Sequence, residues 1–211
     1  MHKKKILEKD KQILFRNWQK SQLIKNKAVL QAFQSVNREL FVDPSYLDLS
    51  YSDQPLPIGS GQTISQPTTV ALMLQILNIS PEHRILEVGT GSGYNAALLS
   101  KLGELVVTIE RHKELVKLAR KNLLSAGLEK VKVVEGDGKL GYSSLAPFDR
   151  IIITAATEDV PKNLKDQLTV GGLLVAPIGP THGCEMKKIV KVSLNDFQTS
   201  SHGLFSFVPL V

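Results

Sequence analysis

The 211-residue sequence has a single cysteine, no long apolar run and no cluster of metal-binding side chains. Because Cys184 has no second cysteine to pair with, an internal disulfide is impossible, which is typical of proteins in a reducing cytoplasm. No segment approaches the roughly 20 apolar residues of a membrane-spanning helix, and the basic start lacks the apolar stretch of a secretory signal. The five histidines are scattered. We therefore expect a cytoplasmic protein with no membrane anchor and no metal.

The formal net charge of +6 is concentrated at one end of the chain. Residues 1–27 hold nine lysines and arginines against Glu8 and Asp10, whereas the other 184 residues carry 17 basic and 18 acidic side chains. A basic arm could bind nucleic acid, but surface charge alone says little about function. We interpret the arm as the solvated face of a helix and expect no nucleic-acid partner.

Apolar periodicity divides the chain into an N-terminal helical part and a larger part of alternating elements. Residues 10–36 are predicted to form a helix, and a second helix ends before Pro81. From Ile85 onward, strand patterns alternate with helical ones until the last two strands, which have no helix between them. Alternation predicts parallel strands with crossover helices on both faces of the sheet. We predict an α/β fold with a doubly wound, mostly parallel, seven-stranded sheet, an antiparallel hairpin at one edge and an N-terminal helical extension.

The same alternation of strand and helix patterns indicates how the chain is divided into parts. We expect one domain of residues 1–211, with the N-terminal helices and an active-site loop in residues 1–80 and a cofactor-binding core in residues 81–211. The loop contains "PLPIGSGQTISQP", residues 55–67, which is too apolar for a linker and too broken for a helix or a strand. Long loops in compact domains are usually functional or disordered, and the apolar content argues against disorder.

Glycines follow the first strand of the alternating part. The segment "LEVGTGSGY" carries Gly89, Gly91 and Gly93, which let the backbone turn tightly and approach a ligand. A dinucleotide fingerprint would have its third glycine three residues after the second, where Tyr94 stands. Glu87 precedes the glycines, and a carboxylate there suits a cationic ligand better than a pyrophosphate.

Acidic residues end the next two strands. Glu110 is placed to accept hydrogen bonds from the ribose hydroxyls of a nucleoside, and Asp137 in "EGDG" could accept from the amine of adenine. With Glu87, the set fits an adenosine ligand that carries an amino acid and a sulfonium, and we predict S-adenosylmethionine. Alone, Gly91 could be only a tight turn, Glu110 a helix-start carboxylate and Asp137 a turn residue. Together at successive strand ends they predict a class I, Rossmann-like methyltransferase.

Several motifs resemble the protein-L-isoaspartate O-methyltransferase family. They are "GQTISQP", "LEVGTGSGYNAALLS", "EGDG", "APFDRIIITAA", "VPKNLKDQL", "GGLLVAPIG" and the terminal "FVPLV". The resemblance implies methylation of the α-carboxylate of L-isoaspartyl residues in damaged proteins and peptides, which are the expected partners. It places Ser65 in the active site. The cofactor contacts that it implies are Gln62, Thr63, Ile64, Ser65, Gly89, Glu110, Gly136 and Asp137.

The chemistry suits a neutral hydroxyl at Ser65. A carboxylate acceptor is already ionised near neutral pH, with a pKa of about 4, so it needs no general base. The enzyme must supply alignment and shield the reaction from water. Ser65 would orient the acceptor carboxylate by a hydrogen bond. The alternative is that Ser65 caps the helix that begins near Pro67.

Other functions remain open at this point. The chain departs from the family pattern at Thr68, Tyr142 and Cys184. A related enzyme could methylate another peptide carboxylate. A nucleic-acid methyltransferase is less favoured, because "TAATED" stands where amino-group methylation of bases usually needs an Asn/Asp-Pro-Pro-aromatic motif. A cofactor-binding module without catalysis is a third class. We expect a monomer.

Overall fold

The computed structural model describes residues 2–211, and side chains from Lys5 onward. The N-terminal part holds three helices, two 3₁₀ turns (Arg38–Phe41 and Pro44–Leu49) and a small hairpin. In chain order the named elements are α1 (His2–Ser21), α2 (Lys27–Ser35), β1 (Leu56–Gly59), β2 (Gln62–Ile64) and α3 (Pro67–Leu77).

The remaining strands form one seven-stranded sheet. Its elements are β3 (Arg84–Val88), α4 (Tyr94–Leu99), β4 (Leu105–Glu110), α5 (Lys113–Ser125), β5 (Lys132–Glu135), β6 (Phe148–Ile153), α6 (Lys162–Asp166), β7 (Leu168–Ile178), β8 (His182–Lys191) and β9 (Phe197–Ser206). The strand order is β5-β4-β3-β6-β7-β8-β9, with parallel pairing from β5 to β7 and antiparallel pairing of β8 with both neighbours. The predicted doubly wound, mostly parallel sheet and its antiparallel edge are confirmed.

Both faces of the central strands are buried. In β6, Ile151, Ile152 and Ile153 are all 0% exposed. Successive strand residues point to opposite faces, and Ile152 packs in a cluster with the N-terminal helices while its two neighbours pack in the cluster on the other side. This explains why the strands are continuous apolar runs in the sequence.

The predicted helix over residues 10–36 is wrong in its bounds. Two helices replace it, because Gln22 adopts a left-handed φ of 52° and the Asn26 side chain caps α2 by accepting from the N–H groups of Ala28 and Val29. Most basic side chains of the arm described here are exposed, as expected. Lys11 is the exception, since it is buried and its Nζ donates to the Gln34 carbonyl at 2.8 Å and to Asn37 Oδ1 at 3.1 Å.

The expectation that residues 55–67 contain no strand is also wrong. Strands β1 and β2 pair antiparallel, and the turn between them has three consecutive residues at positive φ, Gly59, Ser60 and Gly61. Leu56 and Ile64, which face each other in the hairpin, are both buried. The hairpin is therefore anchored in the core by Leu56 and Ile64, and its second strand ends directly before Ser65.

The described part of the chain has neither a membrane-spanning helix nor a cluster of metal-binding side chains. None of its helices is long and apolar enough to cross a membrane. No group of three or more His, Cys, Asp or Glu side chains there could hold a metal ion.

Candidate active site

Two cavities meet at the carboxyl ends of the central strands. The inner pocket encloses about 610 Å³, including its mouth, and is lined by residues 62–65, residues 89–92, Glu110 and residues 154 and 155, among others. The outer groove has a larger volume, about 1670 Å³. It lies between the start of α3 on one side and, on the other, the first residues of β8 and the last residues of β9. A side pocket shares Gln62, Gly89, Glu110 and Ala155 with the inner pocket and extends it. Ser65, Thr63 and Val208 line both the inner pocket and the outer groove.

Gly89 turns the chain from β3 into the pocket wall. Its φ is +95°, and a Cβ atom there would lie 2.5 Å from Thr154 Oγ1. Both facts require glycine at this position. Gly91 also lines the pocket, but Gly93 does not, since its Cα lies against α5, where a Cβ would meet Leu123 at 3.3 Å. Contact of Gly93 with a cofactor therefore stays a prediction. In the structure Gly93 allows the start of α4 to pack closely against α5.

Glu110 is a fixed carboxylate at the junction of the inner and side pockets. Its Oε2 accepts from the Gly91 N–H at 3.0 Å, and its Oε1 accepts from the His112 N–H at 2.9 Å. Each carboxylate oxygen has a second lone pair. Glu110 can therefore accept two further hydrogen bonds from a ligand that carries neighbouring hydroxyl groups.

Glu87 lies beneath the glycine loop and lines none of the cavities found in the described residues. It is 0% exposed and accepts from Asn95 Nδ2 at 2.8 Å and from Thr108 Oγ1 at 2.6 Å. Burial raises the pKa of Glu87 to about 8, against the two hydrogen bonds that lower it. The structure thus brings Glu87 close to the site but not to its surface.

Gly136 and Asp137 lie at the margin of the site. Asp137 is exposed, and its Oδ1 accepts from the Lys139 N–H at 2.9 Å, which caps the 3₁₀ turn Gly138–Leu140. The neighbouring Gly138 lines the side pocket, whereas Gly136 and Asp137 line none of the described cavities. Their contact with a cofactor stays a prediction.

Ser65 does not cap the following helix. Helix α3 begins at Pro67, its cap residue is Gln66, and the N–H of Thr68 in its first turn donates to Asp53 Oδ1 at 2.9 Å. The Ser65 hydroxyl has no hydrogen-bond partner among the described residues, although Gln62, Thr63, Ile64 and Ser65 all line the inner pocket. A half-buried, unengaged hydroxyl therefore stands between the two cavities.

The C-terminal tail completes the site, which the sequence did not predict. Strand β9 ends at Ser206, and the tail beyond it leaves the sheet, where Pro209 has no N–H to donate. The tail is fixed by two bonds to Ala156, whose N–H donates to the Val208 carbonyl at 2.8 Å and whose carbonyl accepts from the Leu210 N–H at 2.7 Å. Leu210 and Val211 line the side pocket. The motif "FVPLV" was the available signal.

The charge of the inner pocket and of the outer groove fits a cationic donor, and Arg111 lines only the side pocket. Glu110 is the one residue among Lys, Arg, Asp and Glu that lines the inner pocket in the described chain. The outer groove contains none of Lys, Arg, Asp and Glu in its described lining, and His182 is its titratable residue. The residues present thus suit S-adenosylmethionine, whose ribose hydroxyls match Glu110 and whose sulfonium needs no cationic partner.

Comparisons with known proteins agree on one family. A family model described as protein-L-isoaspartate(D-aspartate) O-methyltransferase matches residues 8–211. A protein-L-isoaspartate O-methyltransferase of Methanoculleus marisnigri is 46% identical over 188 residues, 89% of this chain and 85% of that protein. A second, of Dictyoglomus thermophilum, is 46% identical over 191 residues, 90% of this chain and 86% of that protein. A Plasmodium falciparum structure, described as such an enzyme in complex with S-adenosyl-L-homocysteine, superposes with a TM-score of 0.83 at 25% identity, covering 94% of this chain and 96% of that one.

Proposed function

We infer the roles of the site residues from family membership: the chain belongs to the protein-L-isoaspartate(D-aspartate) O-methyltransferase family. It is an S-adenosylmethionine-dependent enzyme that methylates the α-carboxylate of L-isoaspartyl residues in damaged proteins and peptides. One observation carries the residue-level proposal: Ser65 lines both the inner pocket and the outer groove. The donor would occupy the inner pocket and the acceptor peptide the outer groove, so that the methyl group crosses between them beside Ser65.

We propose that Ser65 is the catalytic residue that positions the acceptor carboxylate. Its hydroxyl is free of other partners in the described chain, and it can donate one hydrogen bond to a carboxylate oxygen. A neutral donor fixes the direction of attack without the countercharge of a lysine or arginine, which would weaken the nucleophile. The acceptor is already ionised at neutral pH, and this explains why no base is needed beside Ser65.

The cofactor would be held mainly by Glu110 and by the loop of residues 62–65, with Gly89 and Gly91 allowing close approach of the backbone. Gly136 and Asp137 are proposed to contact its adenine end past Gly138. For Glu87 we propose an indirect role, since it lies beneath the glycine loop, and for Gly93 the predicted cofactor contact stays a proposal beside its packing against α5. S-adenosylmethionine, when bound, supplies a methyl group on a sulfonium centre.

The surroundings of Ser65 favour a reaction that neutralises charge. The carboxylate and the sulfonium lose their opposite charges as the new C–O bond forms and the C–S bond breaks, so an apolar, dry environment lowers the barrier. Ile64, Val70, Met73 and Val208 supply apolar lining of the inner pocket. The tail residues are proposed to exclude water from the same region.

The lining of the outer groove and the main hydrophobic cluster bear on the binding partners and on the number of domains. We propose that the enzyme acts as a monomer in the cytoplasm and does not bind nucleic acid. In the described lining of the outer groove, no Lys or Arg is available for the phosphate contacts on which nucleic-acid affinity depends. We also propose a single domain of residues 1–211, because one hydrophobic cluster joins Leu7 and Trp18 of α1 to Ile152 and Val175 of the sheet.

The Ser65→Ala variant tests the proposal. We expect kcat on an isoaspartyl peptide to fall about tenfold or more, since misalignment of reacting groups by about 1 Å can cost on the order of a hundredfold. Affinity for S-adenosylhomocysteine, measured by calorimetry, should change by less than about threefold. Ser144→Ala, at an exposed position that lines neither cavity, is the matched control. An unchanged kcat for Ser65→Ala would remove Ser65 from catalysis.

A further inference from the structure

Consecutive hydrogen bonds link Trp18 of helix α1 to Thr68 in the wall of the outer groove and then to Asp53. Trp18 Nε1 donates to Thr68 Oγ1 at 2.7 Å, and Thr68 Oγ1 donates to Asp53 Oδ2 at 2.6 Å. The Thr68 N–H donates to the other oxygen of Asp53, Oδ1, at 2.9 Å. Trp18 is 2% exposed, so its indole lies inside the protein, whereas Thr68 is half-buried and lines the outer groove with Ser65.

The directions of these bonds follow from the groups involved. An indole N–H can only donate and a carboxylate can only accept, so the Thr68 hydroxyl must accept from Trp18 and donate to Asp53. Trp18 itself is held by edge contacts with two rings, Phe15 at 5.4 Å and Phe33 at 5.1 Å between centroids. Trp18 is therefore fixed, and the bonds of Oγ1 to Trp18 and to Asp53 together hold Thr68 in one rotamer.

This arrangement leaves Thr68 without a free N–H or O–H donor for the peptide. Its N–H and its hydroxyl proton are both donated to Asp53, so its methyl group is the part of the side chain suited to an apolar contact in the groove. Leu72, one turn further along α3, and Phe207 from the tail line the same groove. Together with the absence of Lys, Arg, Asp and Glu from the described lining, they make part of the outer groove suited to an apolar side chain.

We propose that Thr68, Leu72 and Phe207 form an apolar subsite in the outer groove. The subsite selects isoaspartyl peptides that carry an apolar residue next to the isoaspartyl residue. Trp18 is a positioning residue, which holds the Thr68 methyl group toward the groove. The subsite rests on the proposed placement of the acceptor peptide in the outer groove. It also gives α1 a role in substrate choice that its basic charge does not suggest.

The first measurement compares peptides that differ in one flanking residue. Isoaspartyl peptides with leucine or glutamine, which are similar in size, are assayed in pairs with the change before or after the isoaspartyl residue. For one of the two positions we expect the leucine peptide to be preferred about fivefold to tenfold in kcat/KM, a range set by partial burial of an apolar side chain. Equal use of leucine and glutamine at both positions by an active enzyme would overturn the subsite. An enzyme that methylates no isoaspartyl peptide would instead contradict the proposed function.

Three variants then test Trp18. Trp18→Phe keeps an aromatic ring but loses the N–H donor, so only the bond to Asp53 still holds the Thr68 hydroxyl and the side chain gains rotamer freedom. We expect the leucine preference to fall about threefold, with KM for S-adenosylmethionine unchanged. Adding Thr68→Val to Trp18→Phe should restore the preference, because valine has methyl groups at both branches and needs no partner to present one. Thr68→Ser, which keeps both hydroxyl bonds but loses the methyl group, should lower the preference on its own.

The rescue separates positioning from general packing. If Trp18→Phe lowers the preference merely by loosening the core, valine at position 68 will not restore it, and the positioning role is wrong. An unchanged preference in Trp18→Phe would also overturn it. If Trp18→Phe fails to fold, Thr68→Ser still decides the subsite, since a full leucine preference without the methyl group would contradict it.

Discussion

Glu87 and Glu110 show how two similar residues acquire different roles from their surroundings. Both are acids on neighbouring strands beside the glycine loop, and the sequence predicts cofactor contact for both. In the structure Glu110 faces two cavities, whereas Glu87 is buried below them. Sequence position indicates which strand end a residue occupies, but the side chain's direction depends on the partners it finds, here Asn95 and Thr108.

Glu110→Ala should weaken binding of S-adenosylhomocysteine by roughly 1.5–3 kcal/mol, the range for hydrogen bonds to a charged acceptor. The variant also removes the acceptor of the Gly91 N–H, so melting is measured alongside calorimetric affinity. Glu114→Ala, an exposed position on α5, is the control. Unchanged affinity in Glu110→Ala would show that Glu110 does not bind the cofactor.

Glu87→Gln should change how stability depends on pH. The folded protein holds the Glu87 proton up to a pKa of about 8, whereas the unfolded chain releases it near 4.5, so raising the pH across this window lowers the stability of the wild type. Glutamine cannot ionise. The stability of the variant relative to wild type should therefore rise from pH 5 to pH 8, by on the order of a few kcal/mol.

Denaturant unfolding at pH 5, 6.5, 8 and 9 measures the effect. The exposed Glu129→Gln variant should show a nearly constant difference from wild type over the same range. A constant difference for Glu87→Gln as well would contradict the raised pKa.

At the scale of elements, the sheet could be predicted because parallel strands buried on both faces leave continuous apolar runs in the sequence. The β1–β2 hairpin could not, since its strands are only four and three residues long and Ser60 adopts a positive φ that its residue type rarely takes. The break between α1 and α2 was missed for a similar reason. Apolar spacing continues across it, and only the Gln22 backbone and the Asn26 cap end one helix and start the next.

Deletion of residues 1–9 should lower stability but leave turnover of a short isoaspartyl peptide nearly unchanged. Leu7 is 6% exposed and belongs to the main hydrophobic cluster, so its loss should cost about 1.5–3 kcal/mol. The deletion spares Lys11 and Trp18, which connect α1 to the rest of the protein. Free energy of unfolding and kcat are measured on the same preparation. Loss of turnover under conditions where the deletion variant is folded would show that the arm belongs to the site.

At the scale of the whole molecule, the site is assembled from segments far apart in the chain. The hairpin of residues 56–64, the strand ends after β3 and β4 and the C-terminal tail all line it. The strand ends could be predicted, because parallel strands place their carboxyl ends at one edge of the sheet. The position of the tail could not be predicted from periodicity, since it depends on two backbone bonds to Ala156, and the motif "FVPLV" was its only signal in the sequence.

The placement of donor and acceptor on opposite sides of Ser65 predicts strict geometric selection of the acceptor. An isoaspartyl peptide and its normal aspartyl twin have the same charge and composition, so electrostatic attraction cannot separate them. They differ in linkage: the isoaspartyl form adds a methylene to the backbone and leaves the α-carboxylate on a shorter branch. A groove that fixes the peptide backbone while Ser65 fixes the carboxylate would place the aspartyl carboxylate about one bond length from the productive position.

The most direct test is therefore kcat/KM for methyl transfer to two peptides that differ only in aspartyl or isoaspartyl linkage. We predict a preference of at least about a hundredfold for the isoaspartyl peptide, the cost associated with a displacement of about 1 Å. Comparable values for the two peptides, or methylation of RNA with neither peptide used, would contradict the proposed placement of the acceptor at Ser65.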